Sequence, residues 1–334
     1  MTVALVVLNW NGKEILERFL PEMLQYSKEA TIYVIDNNST DDSIDLLTTE
    51  FPDIKRIINE ENLGYAGGYN AGLKNIKEEL ICLINNDIRV TKNWLPPIIN
   101  FFKNNSNTGI VQPHILDEKE PTSFEYAGAA GGYIDRFGYP FCRGRIFDQI
   151  EQDEGQYNEN QNIFWASGAC LFIRNTLFQD LDGFDVDFFM HQEEIDLCWR
   201  ANNIGSKVFC VGDSKVYHLG GASLPESPLK VFYNYRNSIY MLLKNVPALQ
   251  LPFILCCRLL LDGVAGIRFL LKGELRNCLS ILKAHAYMYY NFFKMLGKRS
   301  SKKSKNSYFK LNSIVFQYFI LKKSKFFNIR FSKS

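Results

Sequence analysis

Over the first hundred residues, short apolar runs alternate with stretches whose apolar residues recur every three or four positions. Runs at 3–8, 31–35, 54–58 and 80–84 predict four strands. Between them, 12–26 has helical spacing (Ile15, Phe19, Leu20, Met23, Leu24), and further helices are expected over 41–51, from the glycine-rich loop at 64 to about 79, and over 94–104. Ser39 or Thr40 is placed to cap the second of these helices. The alternation predicts an α/β domain with a mostly parallel sheet and helices on both faces. Such sheets bind ligands beyond the carboxyl ends of their strands. Asn9-Trp10-Asn11, Asp36-Asn37-Asn38 and Asn85-Asn86-Asp87 all fall there and outline a pocket.

Beyond this region the pattern loosens. Residues 113–162 hold glycine and acidic clusters and predict irregular hairpins or loops. Regular structure resumes at 163–174, then a helix over 192–205 closed by Gly205 and a strand at 207–211. From Leu229 onward, helical segments rich in Tyr, Phe and Leu are interleaved with Lys and Arg, and no internal repeat is evident.

The 334 residues, 46% hydrophobic and 22% charged, are enough for one large domain with an appendage or for two, and they exclude wholesale disorder. The net charge of +2 conceals an asymmetry. Eleven Lys or Arg and no Asp or Glu lie in 298–334, so residues 1–297 carry −9, the chain's +2 less those eleven. A basic tail on an acidic body predicts a polyanionic partner. The eight cysteines include no C-x-x-C pair, which points to reduced buried thiols and a cytoplasmic protein rather than a disulfide framework or zinc site. The N-terminus has no basic n-region or small-residue cleavage site and reads as a strand rather than a signal peptide. No uninterrupted apolar run is long enough to demand a membrane span; the nearest, at 247–271, is broken by Pro252, Arg258 and Asp262.

Four constellations could carry chemistry, and each has an ordinary structural reading beside it. The loop NLGYAGGYNAG (62–72) could bring backbone and a helix N-terminus to an anion, or simply turn the chain into a helix. Its spacing fits neither a dinucleotide fingerprint nor a phosphate-binding loop. Asp87, ending a strand, could ligate Mg²⁺ or Mn²⁺ alongside substrate phosphates, or cap a turn. Glu193, Glu194 and Asp196 crowd a helix start; clustering raises carboxylate pKa values and suits a general base, while the dipole alone also favours acids there. Asp196 and Arg200 have i,i+4 spacing and can pair. His218 follows a strand and precedes two glycines, as a metal ligand or a structural histidine. Core packing is the default for Trp10, Trp94, Trp165 and Trp199.

Taken together, VVLNWNG, VIDNNSTDDS, NLGYAGGYNAGL, LINNDIRV, WASGACLFIR, GFDVDFFMHQEEIDLCWR and VYHLGGAS resemble, in order across residues 3–223, the inverting family 2 glycosyltransferases of GT-A fold, especially their bacterial rhamnosyltransferase-like branch. The resemblance implies a nucleotide-diphosphate-sugar transferase with a Rossmann-like sheet at 1–225; beyond it the residues themselves predict a helical, membrane-associating region at 226–297 and a basic tail at 298–334. The resemblance also implies a dTDP-, UDP- or GDP-linked donor, with rhamnose the first sugar to test, and Mn²⁺ or Mg²⁺ as cofactor.

By position, the resemblance makes Asp36 the contact to the base. Asn9, Asn38 and Asn70 become donor-pocket residues, with Gly64 and Gly67 in a loop closing on the nucleotide. Asp87 becomes the metal-binding acid of a D-x-D-type motif in which Asn86 replaces the usual carboxylate, and His218 completes the metal shell. Glu194 takes the place of the usual Asp base, with Glu193 as fallback. FYNYRNSIYMLLKN also resembles the family, and Arg236 within it is expected to reach the diphosphate or acceptor. The aromatic-basic helices and cationic tail suit attachment to anionic lipid at the inner face of the cell membrane, matching a polyprenyl-linked or cell-surface glycan acceptor. A solvated tail on an ordinary helical subdomain is the plainer reading. No nucleic-acid-binding fold accompanies the tail. A catalytically silent sugar-nucleotide or glycan binder is the alternative, resting on Asn86. A nucleotidyltransferase would need a basic triphosphate loop that 3–12 lacks.

Overall fold

The computed structural model describes residues 1–220, 227–300, 307–329 and 331. The first part alternates as expected: β1 (Val3–Asn9), α1 (Lys13–Tyr26), β2 (Thr31–Asp36), α2 (Ser43–Thr49), β3 (Lys55–Ile58), α3 (Gly64–Gly72), β4 (Leu80–Asn85), β5 (Ile88–Val90), α4 (Leu95–Asn104) and β6 (Thr108–Asp117). The region expected to be irregular forms β7 (Gly132–Ile134), β8 (Pro140–Cys142), β9 (Arg145–Ile146) and β10 (Gln149–Ile150), a small four-stranded antiparallel sheet. Then come β11 (Gln161–Ile163), β12 (Cys170–Arg174), α5 (Asn175–Asp180), α6 (Glu193–Asn203) and β13 (Lys207–His218). The C-terminal part is helical: α7 (Pro228–Asn245), α8 (Leu251–Leu271), α9 (Leu275–Tyr290) and α10 (Phe292–Gly297).

The main sheet runs β11-β13-β6-β12-β4-β1-β2-β3, with β5 paired to β13. Strands β4, β1, β2 and β3 are parallel, but β12 lies antiparallel between β4 and β6, so the sheet is mixed rather than mostly parallel. The reason is topological. The chain returns from the small sheet to the functional edge at Ala169 and must run back from it. Side chains alternate between two cores: Ala4, Val6, Tyr33 and Ile35 on one face, Val3, Leu5, Val7 and Val34 on the other. Burial on both faces is why β1 and β4 read as continuous apolar runs.

Helix α3 packs on this sheet through its glycines. A Cβ on Gly72 would lie 2.2 Å from Ile35 Cδ1, and one on Gly68 would lie 3.0 Å from Leu8 Cδ1. Helix α2 begins later than expected because the Ser39 hydroxyl donates to Asp36 instead of capping it. Strand β13 is far longer than the apolar segment at 207–211; a register shift at Val211/Lys215 carries it on to His218.

Trp94, Trp165 and Trp199 are core residues, but Trp10 is 54% exposed, a departure from the packing default, because it lies where β1 ends. All eight cysteines are free; five are buried, while Cys256 is exposed. The described part of the basic segment folds back onto the small sheet. Ile314 N–H donates to Asp135, Phe326 N–H donates to Glu151, and the Phe326 ring stacks on Tyr133. The expected boundary at 225–226, the Gly221, Ala222 and Ser223 end of VYHLGGAS, and tail residues 301–306, 330 and 332–334 lie outside the described residues.

Candidate active site

Parallel pairing puts Asn9 opposite Asp36 and Leu8 opposite Asn85, so three strand ends meet at one edge. Their polar side chains are linked. Asn86 Nδ2 donates to Asn9 Oδ1 at 3.1 Å, and Asn9 Nδ2 donates to Asp36 Oδ1 at 3.1 Å. The Asp36 carboxylate also accepts the Ser39 hydroxyl (2.6 Å) and backbone N–H (2.8 Å). Gly12 makes this row possible, since a Cβ there would sit 2.5 Å from both Asn86 Nδ2 and Asn9 Oδ1. Gly12→Ala is therefore expected to break the Asn86–Asn9 bond and cost about 1–3 kcal/mol through overpacking. A urea midpoint would read the stability change, and donor KM the effect on the site.

Pairing of β5 with β13 sets His218 against Ile88, so His218 meets Asp87. Nε2 lies 3.0 Å from Asp87 Oδ1, and Nδ1 lies 3.2 Å from Glu125 Oε1. Burial lowers the imidazole pKa, but Glu125 and Asp87 outweigh burial and bring it up to about 10. Without a cation the imidazole is therefore protonated; a cation that displaces the Nε2 proton would find Asp87 Oδ1 and Nε2 roughly 3 Å apart, the spacing of neighbouring corners of an octahedron with ~2.1 Å bonds, and would draw its other ligands from substrate and water. Among the described residues no group of three or more His, Cys, Asp or Glu is arranged for a metal. Asp87 and His218 would thus be the protein's share.

The acidic helix start approaches the same edge. Ala169 O accepts the Asn85 N–H, and a Cβ on neighbouring Gly168 would lie 3.7 Å from Glu194 Cβ. Tyr65 of α3 donates to Gly168 O at 2.7 Å. Glu194 is half-buried and its pKa is pushed up by burial to about 7. Glu193 is more deeply buried, its Oε2 has no hydrogen-bond partner among the described residues, and burial followed by the Glu194 charge raises its pKa well above the usual carboxylate range. Asp196 is fully buried between Lys244, Arg200 and Asn245, which hold its carboxyl below the usual range despite burial. One cluster of three acids thus divides into one ion-paired anchor and two carboxyls raised above the usual carboxylate range, Glu194 to about 7.

The chain's sequence matches the profile of glycosyl transferase family 2 over residues 4–182, more than half its length. The chain belongs to that family. It is 22% identical over 245 residues to an N-acetylglucosaminyl-diphospho-decaprenol L-rhamnosyltransferase of Mycobacterium tuberculosis, covering 69% of this chain and 80% of that one. It is also 22% identical over 274 residues to the dTDP-rhamnosyl transferase RfbF of Shigella flexneri, covering 77% and 85%. Its fold is shared with GalNAc-T7, solved with UDP, GalNAc and Mn²⁺, at a TM-score of 0.56 and 16% identity, over 72% of this chain and 47% of that longer one. The protein is a transferase of GT-A fold in the rhamnosyltransferase-like branch of the family, and its mixed sheet is that fold's.

In this glycosyltransferase several residues expected in the donor pocket have protein partners. Both polar atoms of the Asn70 amide pair with the backbone of Phe184. The space a Cβ would need at Gly64 is filled by Phe189, and at Gly67 by Leu63, so these glycines bring backbone close to protein. Asn38 is exposed with φ 62°, and its buried neighbour Asn37 holds the loop through Asn62, Gly64 O and Asn59.

Arg236 is buried, and its guanidinium donates to the carbonyls of Asp187 and Phe188. Beside it, Asn237 Nδ2 lies within 3.0 Å of the carbonyls of Phe188, Met190 and His191. This pair holds a turn whose Phe189, His191 and Gln192 all have positive φ, just before Glu193. Non-glycine residues adopt such backbone only where their surroundings impose it. The sequence reading missed Glu125, a lone acid in an irregular stretch that nothing but the fold brings to His218. It also missed Asn237, for which a polar pair in an aromatic helix, Arg236-Asn237, was the available signal.

Proposed function

We propose that the protein is an inverting glycosyltransferase that moves a sugar, rhamnose first among the candidates, from a nucleotide-diphosphate donor to a hydroxyl of a lipid-linked or cell-surface glycan. The observation that carries this reading is the approach of Glu194, with a carboxyl near neutral pKa, to the sheet edge that also holds Asp87 and His218. Glu194 takes the acceptor hydroxyl proton, with Glu193 as the alternative base. The oxygen then bonds to the anomeric carbon from the face opposite the diphosphate, and the sugar–phosphate bond breaks with its electron pair leaving on the diphosphate. A divalent cation at Asp87 and His218 would stabilise that leaving charge. Asn9, Asp36 and Asn86 form the wall against which the nucleoside is read. The rhamnosyl and diphospho-decaprenol names of the relatives support the sugar and the lipid-linked acceptor, and the Mn²⁺ named for the structural neighbour supports a divalent cation. A lipid-linked acceptor in turn favours a cytoplasmic enzyme working at the inner face of the membrane.

The test is a panel of dTDP-, UDP- and GDP-sugars with Mn²⁺ or Mg²⁺ and a membrane lipid extract as acceptor. Extract-dependent release of nucleoside diphosphate from one donor is expected. No release from any donor would leave a silent binder as the better account.

A further inference from the structure

Helix α8 is inside out. Its charged residues Arg258 and Asp262 are 3% and 0% exposed, while Phe253, Leu260, Val264, Ile267 and Leu271 are 54–84% exposed. At about 100° per residue these five form one stripe along the 21-residue helix. The buried side is polar and satisfied. Arg258 pairs with Asp262 at 2.8 Å and donates to Ser238 Oγ, and Tyr139 and His285 also reach Asp262. Helix α9 also carries an exposed apolar stripe, Leu275, Leu279, Leu282 and Tyr289, although its buried side (Ile281, Ala284, Met288) is apolar too. A helix on the surface of a water-soluble domain turns the other way, and exposed apolar surface of this extent marks an interaction face.

The charge around the stripes has one sign. From 246 to 297 the only acids are buried Asp262 and half-buried Glu274, whereas Arg268, Lys272, Arg276 and Lys283 are all exposed. The basic C-terminal segment runs alongside. The Arg268 guanidinium sits 5.2 Å over the Phe319 ring, and Arg136 bridges Phe253 and Phe309. That segment adds exposed Phe316, Ile320 and Phe327 with Lys322 and Lys325.

We infer that the outward faces of α8 and α9 seat the enzyme on an anionic lipid bilayer, with both helices lying in the plane of the interface and their apolar stripes among the acyl chains. No helix of the described residues is long and apolar enough to cross a membrane, so the geometry is that of a helix resting on the surface. A second copy is the poorer occupant, because a two-fold contact would press this cationic rim against itself, whereas anionic headgroups complement it. The inference deepens the reading of a lipid-linked acceptor, on which its biological sense rests. It concerns attachment rather than transfer, so the two fail separately.

Flotation of the full chain tests it, with vesicles of phosphatidylcholine alone or containing phosphatidylglycerol. The chain is expected to float with the anionic vesicles and to be released by high salt. Leu260→Glu with Val264→Glu, and separately Lys272→Glu with Arg276→Glu, should each cut the floated fraction at least about tenfold. Thermal midpoint and donor turnover in detergent should stay at wild-type values, which separates lost attachment from misfolding. Equal flotation with both vesicle types, or variants that float like the wild type, would overturn the proposal. So would concentration-dependent self-association of the wild type, abolished by the leucine and valine changes, in a chain that does not float.

Discussion

Glu194→Gln is expected to lower kcat by about 100- to 10,000-fold, the usual contribution of a positioned general base, with donor KM little changed. The wild-type pH profile supplies the second half of the prediction. The base works deprotonated, so kcat/KM should rise with pH along a limb near 7, not near the ordinary 4.5 of a glutamate. The same shift fixes the sign of the stability effect. A carboxyl whose folded pKa is raised binds its proton more tightly in the folded state, so the native state loses stability as pH climbs from 4.5 through 7. Replacing Glu194 with the uncharged amide should therefore leave the melting temperature unchanged at pH 4 and raise it at pH 8. A variant that is more stable and inactive at pH 8 separates chemistry from unfolding. Full activity in Glu194→Gln, with loss in Glu193→Gln instead, would move the base one residue back.

The sheet edge was legible because its signal is local. Apolar runs that stop on Asn9, Asp36 and Asn85 state both where a strand is buried and where it ends. The acidic helix start was legible for the same reason. Less so were relations made only by folding. The resemblance pairs Asp87 with His218, but nothing in the sequence around Glu125 points to the other side of that imidazole. The reversal of β12 was hidden because CLFIR reads alike in either direction. Arg236 is the instructive case. In sequence it is a cation in a family-like motif and invites an anionic ligand. In the fold its guanidinium donates to two carbonyls of the turn before Glu193, a partnership the sequence does not announce. The inverted polarity of α8 was likewise unreadable, since a helical wheel shows that Arg258 and Asp262 share a face but not which way that face looks.

Asp87→Ala removes the carboxylate proposed to hold the cation, and transfer is expected to fall by about a thousandfold or more, since stabilising the leaving diphosphate is worth several kcal/mol. The physical argument rests on the donor set. In the proposed site Asp87 and His218 would be the protein's share of the donors, so losing the carboxylate would leave only an imidazole, which must first give up its proton, to compete with water. Mn²⁺ titration followed by electron paramagnetic resonance, with the nucleoside diphosphate present, should show affinity falling at least about tenfold in Asp87→Ala. His218→Ala should fall by less, because it retains the anionic ligand. Both groups are buried, so each change is expected to lower the melting temperature, and Mn²⁺ affinity is read at a temperature where circular dichroism shows the variant folded. Glu194→Gln should bind Mn²⁺ like the wild type, and that contrast is the discriminating result. If both Asp87→Ala and Glu194→Gln lose transfer but only the first loses cation affinity, the edge is divided between a leaving-group half and an acceptor half. If Asp87→Ala binds Mn²⁺ as well as the wild type does, the cation does not sit between Asp87 and His218, and the pair is a buried ion pair that only braces β5 against β13.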